Sequence, residues 1–162
     1  FGDKKLIPNA IHKMILDLNP HAFITTNFDD LLETVKLAHS LNKKVYVAMN
    51  IYARDEEYEL IVKEAKHLDE IGVDGIIVAD GGIVEILKEY APNTEIHIST
   101  QANVTSLHTC NFWYKNGASR IILARELNKD EIKHITENKP NGLDIEIFVH
   151  GAICYSYSGR LS

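Results

Sequence analysis

The stretch Gly75-Ile76-Ile77-Val78-Ala79-Asp80-Gly81-Gly82 decides the fold of this chain. Its first five residues carry no polar side chain, and three β-branched residues stand in a row. A strand without a polar face is one covered on both sides, as strands of parallel sheets are. The run then breaks into Asp80-Gly81-Gly82. That signature fits a tight turn with Asp80 capping the next helix, and it equally fits an anion site at a helix N-terminus.

The same pattern repeats outward. Apolar runs at 45–49, 75–79, 96–99, 120–124 and 145–149 begin 30, 21, 24 and 25 residues apart. Amphipathic segments fill the gaps. In 56–71, Leu60, Ile61, Ala65, Leu68 and Ile71 recur at helical spacing, and Gly72 stands where a C-terminal cap belongs. Segments 83–90 and 104–116 read as two further helices, the second capped by Thr100 or Asn103. Asn128 with Glu131 forms a capping box ahead of Ile132 and Ile135. Pro92 and Pro140 lie just beyond helix ends. Upstream, 29–41 reads as a helix capped by Asn27, with a short helix at 11–18 and a short strand at 21–25.

This is the pace of successive βα units and implies a parallel sheet. Units so regular and so free of insertions favour a (β/α) barrel over a Rossmann arrangement. A whole eight-unit barrel takes about 250 residues, and this chain has 162. The expectation is therefore an α/β fold whose parallel (β/α) units form part of a TIM-like barrel. Five or six strands would be present, and residues 1–162 would make one incomplete domain. A partner chain or missing segments would complete the barrel or cover the sheet edges. A chain that starts at Phe1 is in keeping with a fragment.

Composition narrows the function. Apolar residues make up 45% and charged residues 25%, enough for a packed core. A net charge of -6 argues against non-specific nucleic-acid binding. An RNA substrate remains compatible, with the main phosphate contacts made elsewhere. Two cysteines, Cys110 and Cys154, are no disulfide framework. With neither a signal-peptide core nor a membrane-spanning run in the sequence, the expected location is cytoplasmic, without membrane association.

Every strand run ends in polar residues, and in a parallel sheet these ends share one rim, where barrel enzymes carry their chemistry. The ends are Asn50, Asp80, the Ser99-Thr100-Gln101 group with Asn103, Arg125-Glu126 and His150. Gln101 is a poor capping residue and should project from its strand end. Arg125-Glu126 fits a local ion pair and equally an anchor for a carboxylate or phosphate. His150 beside Gly151 leaves room for a ligand. The last run, Glu146-Ile147-Phe148-Val149-His150-Gly151-Ala152-Ile153-Cys154-Tyr155-Ser156-Tyr157-Ser158-Gly159, reads as a buried strand delivering His150 and Cys154 together. Cys154 fits a small buried hydrophobe, a thiolate nucleophile or a metal ligand. Cys110, in the helix of Val104, Leu107 and Trp113, reads as structural.

That last stretch, with His-Ile-Ser-Thr-Gln-Ala-Asn at 97–103 and Ile-Leu-Ala-Arg-Glu-Leu at 122–127, resembles the collagenase-like peptidase family, the thirty-second among peptidases of unknown catalytic type. Phe112-Trp113-Tyr114 and Asn27-Phe28 fit it too, so the likeness runs from about Asn27 to Gly159. The resemblance implies a TIM-like barrel and a protease or other hydrolase, some members acting on collagen. It also implies kinship with proteins that hydroxylate tRNA or rRNA or assist ubiquinone synthesis, several holding an iron–sulfur cluster. Under the peptidase reading His150 is the general base, Cys154 a nucleophile, and Gln101, Arg125 and Glu126 complete the catalytic set. Asn50, Asp80, Ser99 and Asn103 then line a site for a peptide or RNA substrate. Under the hydroxylation reading Cys154 is an iron–sulfur ligand; a divalent metal is the other cofactor considered. The family's next cysteine, seven positions on, is Leu161 here. The third reading is a non-catalytic barrel fragment that works only with a partner.

Overall fold

The computed structural model describes residues 20–26 and 31–149. Six strands form one parallel sheet: β1 (Ala22–Thr25), β2 (Lys44–Ala48), β3 (Gly75–Val78), β4 (Glu95–Ile98), β5 (Arg120–Ile122) and β6 (Asp144–Glu146). Five helices connect them in turn: α1 (Leu31–Ser40), α2 (Tyr58–Ile71), α3 (Gly81–Tyr90), α4 (Leu107–Lys115) and α5 (Lys129–Asn138). The spatial order of the strands is their order in the chain. Right-handed crossovers that never reverse direction put all helices on one side, and the sheet curls into a half-barrel. The expected partial TIM-like architecture is what is observed.

Alternation along each strand separates two environments. Val45, Val47, Ile76, Val78, Ile98, Ile121 and Leu123 turn outward and pack with Ile61, Leu68, Ile83, Leu87 and Ile135 of the helices into the main core. Tyr46, Ile77 and Ile122, with Ala22 and Ala48, turn inward and form a second, smaller cluster. Local signals behave as the chemistry dictates. Gly72 sits at φ 78° and donates its N–H to the Leu68 and Asp69 carbonyls, ending α2. The Asn128 side chain accepts from the N–H groups of Asp130 and Glu131 while the Glu131 carboxylate accepts from the Asn128 N–H, opening α5.

Four expectations need correction. Helix α2 starts at Tyr58, because residues 55–57 form a tighter 3₁₀ turn; Leu60 faces outward and is exposed. Helix α4 starts at Leu107, not at 104, and its cap is Ser106, whose hydroxyl accepts from the Thr109 N–H at 3.2 Å. Thr100 and Asn103 instead bound a 3₁₀ turn of their own, Thr100–Ala102, with Asn103 in the left-handed region at φ 51°. The final run is no buried strand: pairing stops at Glu146, and Ile147, Phe148 and Val149 are 41%, 59% and 87% exposed. Among the described residues β6 is an edge of the sheet, so nothing covers its far side. Residues 11–18 and Asn27 lie outside the described residues.

Candidate functional site

All six strands run parallel, so their carboxyl ends form one rim. Strand register brings Asn50, Asp80, Ser99 and Arg125 to it: Met49 donates its N–H to the Ile77 carbonyl and Ser99 donates to that of Val78. The 50–54 segment then leaves β2 and crosses to the turn after β4, where the Tyr52 hydroxyl donates to the Gln101 carbonyl at 3.0 Å. Asn50, Tyr52, Gln101 and Asn103 thus belong to two loops tied by one hydrogen bond. Beside Asn50 a cleft of about 380 Å³ runs between Thr26, Met49, Ile51 and the Leu60, Ile61 and Glu64 side of α2.

The rim residues divide by what their polar atoms do. The Asp80 carboxylate is occupied as a cap, accepting from the N–H groups of Gly82 at 2.7 Å and Ile83 at 3.1 Å. Ser99 is buried and its hydroxyl accepts from the Gln101 N–H at 3.2 Å. Both have work in the fold. Asn50 and Asn103 differ, because among the described residues the amide oxygen of each is buried without a hydrogen-bond partner. A buried acceptor left unpaired costs about 1–3 kcal/mol, and the rim carries two of them. Arg125 and Glu126 are exposed on the turn after β5. His150 and Cys154 lie outside the described residues.

Sequence reasoning overlooked a polar layer at the other, amino-terminal end of the barrel interior. His97 is 1% exposed, its Nε2 lies 2.9 Å from a Glu95 carboxylate oxygen, and its ring meets Tyr46 edge-on at 4.6 Å. Glu95 also pairs with Lys44 at 3.3 Å. Arg120 stacks over Tyr46 at 5.1 Å and reaches Asp144 at 3.1 Å and Glu146 at 3.6 Å. Burial pushes the His97 imidazole below its ordinary value, although the Glu95 hydrogen bond pulls the other way. Burial alone would raise Glu95, but hydrogen bonds from His97 and Lys44 reverse the sign and hold it low. The signal was a histidine between two isoleucines in a strand that otherwise read as apolar. Gly75 lies opposite: a Cβ there would come within 2.9 Å of the His97 ring.

Cys110 behaves as expected of a structural thiol, buried in α4 and pushed up to about 11 by that burial. No group of three or more His, Cys, Asp or Glu among the described residues could hold a metal ion. Neither a divalent metal nor an iron–sulfur cluster therefore has a described ligand set. No described helix is long and apolar enough to cross a membrane.

With the parallel half-barrel and its rim established, comparison with known proteins is decisive. Residues 21–162 match the model of peptidase family U32. The chain belongs to peptidase family U32. Among curated U32 relatives, tRNA hydroxylation protein P of Escherichia coli (strain K12) is 40% identical over 134 residues, which are 83% of this chain and 29% of that protein. The 23S rRNA 5-hydroxycytidine C2501 synthase of the same strain is 36% identical over 136 residues, 84% of this chain and 20% of that protein. The chain thus spans less than a third of the length of either relative. A solved structure of a U32 peptidase matches with a TM-score of 0.63 at 20% identity, over 83% of this chain and 63% of that one. At that identity the likeness shows the fold.

Proposed function

We propose that this chain contributes the base-recognising rim of an RNA hydroxylation enzyme acting on tRNA or rRNA. The observation that carries the reading is the 40% identity, across 83% of the chain, with a protein named for tRNA hydroxylation. The identity with a 5-hydroxycytidine synthase adds a pyrimidine as the target class. The rim chemistry supports the same reading. Asn50 and Asn103 offer amides, which match the donor and acceptor pattern of a base edge, and Arg125 offers a guanidinium for a phosphate. Gln101 orients the base, and Glu126 completes the polar set. His150 acts as a proton acceptor and Cys154 as a thiol or cluster ligand. Asp80 and Ser99 hold the rim in shape.

The acidic charge fits this division of labour. With a net charge of -6 the chain is a weak phosphate binder, and the remainder of the protein, which also closes the sheet edges at β1 and β6, carries most of the backbone contacts. Converting C–H to C–OH adds one oxygen and removes two electrons from the base. Side chains alone do not do this, so an oxygen donor and an electron acceptor complete the reaction. The protein works in the cytoplasm, where its RNA resides. The peptidase reading rests on the family's description and on 36% identity, over 94% of this chain, with a protein of Methanocaldococcus jannaschii named as an uncharacterized protease.

Nucleoside mass spectrometry of tRNA and rRNA from cells lacking the gene tests the proposal. The expected result is loss of one nucleoside carrying an added oxygen, restored by the intact gene. An unchanged nucleoside profile, with gelatin cleaved by the purified protein, would return the peptidase reading to first place.

A further inference from the structure

We infer that Tyr52 is the stacking platform on which the rim holds one unstacked nucleobase. The inference rests on the RNA reading above and names how that site binds. Tyr52 is 60% exposed, yet it is held in place, because its hydroxyl donates to the Gln101 carbonyl at 3.0 Å. A tyrosine tethered at its tip keeps its ring fixed and its π surface open, which is what base stacking requires; an untethered surface tyrosine would have to be ordered on binding.

Its neighbours supply the rest of a base site. Asn50, two residues before it, and Asn103, two residues after its tether point, each keep a buried amide oxygen unpartnered among the described residues. Stacking gives affinity without reading sequence, while amides on the base edge give discrimination. Chemistry on a base carbon also needs the base out of its helical stack, since the stacked base is inaccessible. On a chain of net charge -6, neutral contacts of this kind add affinity that does not depend on phosphate neutralisation.

The test uses the full chain and a hairpin RNA with a pyrimidine loop, with binding followed by fluorescence anisotropy. Base stacking on an aromatic side chain is worth about 1–3 kcal/mol, so Tyr52→Ala should weaken binding by about tenfold or more. Tyr52→Phe keeps the ring and should bind within a few-fold of the parent, whereas Tyr52→Leu keeps bulk without a π face and should bind like Tyr52→Ala. In a Trp113→Phe background, Tyr52→Trp makes residue 52 the one indole of residues 1–162, and its emission should be quenched by the loop RNA. Should Tyr52→Ala lose its fold, the Phe and Leu pair still decides the matter. Equal binding by Tyr52→Phe and Tyr52→Leu, with no quenching at position 52, overturns the platform and leaves the RNA reading standing. A complete gene product that binds neither hairpin nor single-stranded RNA overturns both.

Discussion

Asp80 stands at the rim and also caps a helix, and a substitution series separates the two roles. Its carboxylate accepts from the Gly82 N–H at 2.7 Å and the Ile83 N–H at 3.1 Å. Helix α3 begins with Gly81-Gly82, and glycine is about 1 kcal/mol less favourable than alanine in a helix interior. The start of α3 therefore leans on its cap. Removing a capping side chain costs about 0.5–2 kcal/mol, and with two orphaned N–H groups Asp80→Ala belongs at the upper end, about 1.5–2 kcal/mol. For a chain of this size that corresponds to about 3–8 °C in Tm. Asp80→Asn keeps the acceptor and gives up only the charge facing the helix dipole, a loss of about 0.3–1 kcal/mol. Urea unfolding followed by far-UV circular dichroism measures both. If Asn and Ala are equally destabilising, the capping argument fails. If Asn is stable but RNA modification is lost as fully as with Ala, the carboxylate acts in the site and its assignment to the fold is wrong.

Three further predictions concern the interior. His97 has its imidazole held below the ordinary 6.5 by burial, against the pull of Glu95, so the unfolded chain takes up a proton that the folded chain refuses. Stability should fall as pH drops below 6.5, by at most about 1.4 kcal/mol per pH unit. Glu95, held below 4.5 by His97 and Lys44 against burial, adds to the loss below that value. Urea midpoints across this range should show a slope that is reduced in His97→Gln, and an unchanged slope would refute the role of burial. Cys110, pushed up to about 11, should resist a thiol reagent at neutral pH in a Cys154→Ser background and react fully in urea. Rapid labelling of the native protein would contradict its burial. A Cβ at Gly82 would meet the Tyr58 hydroxyl, the far end of a side chain that must swing aside, so Gly82→Ala should gain less than the about 1 kcal/mol that alanine brings to a helix. Adding Tyr58→Phe should restore part of that gain, and strict additivity of the two changes would argue against the clash.

The sequence made the sheet legible because a buried parallel strand advertises itself. Runs such as Ile76-Ile77-Val78 have no polar face, and Gly72 and Asn128 mark helix ends by local chemistry alone. What escaped was whatever depends on residues distant in the chain. That pairing stops at Glu146 is not visible in the apolar run Ile147-Phe148-Val149 that follows it. The pairing of Arg120 with Asp144 and of Glu95 with Lys44 needs the strand register, which no single strand reveals. Ser106, and neither Thr100 nor Asn103, caps α4, while Asn103 takes up a left-handed conformation; the three stand within seven residues of one another, too close for sequence to choose among them. At the rim the strand ends in the sequence named Asn50, Asp80, Ser99, Gln101 and Asn103 alike. That the Asp80 and Ser99 side chains hold backbone N–H groups while the Asn50 and Asn103 amide oxygens stay unpaired is a matter of three-dimensional placement. Tyr52 was missed because an aromatic in a loop carries no periodic signal; only its hydrogen bond to Gln101 sets it apart.

The most direct test of the account is genetic complementation read out on RNA. In cells lacking the gene, the protein carrying Asn50→Ala and Asn103→Gly together should fold with the parent's urea midpoint or a higher one, because it loses two unpaired buried acceptors and glycine accepts the left-handed backbone at position 103. It should nevertheless fail to restore the hydroxylated nucleoside that the parent restores. Full restoration by that double variant would contradict the claim that the rim of this half-barrel is where the RNA base is recognised.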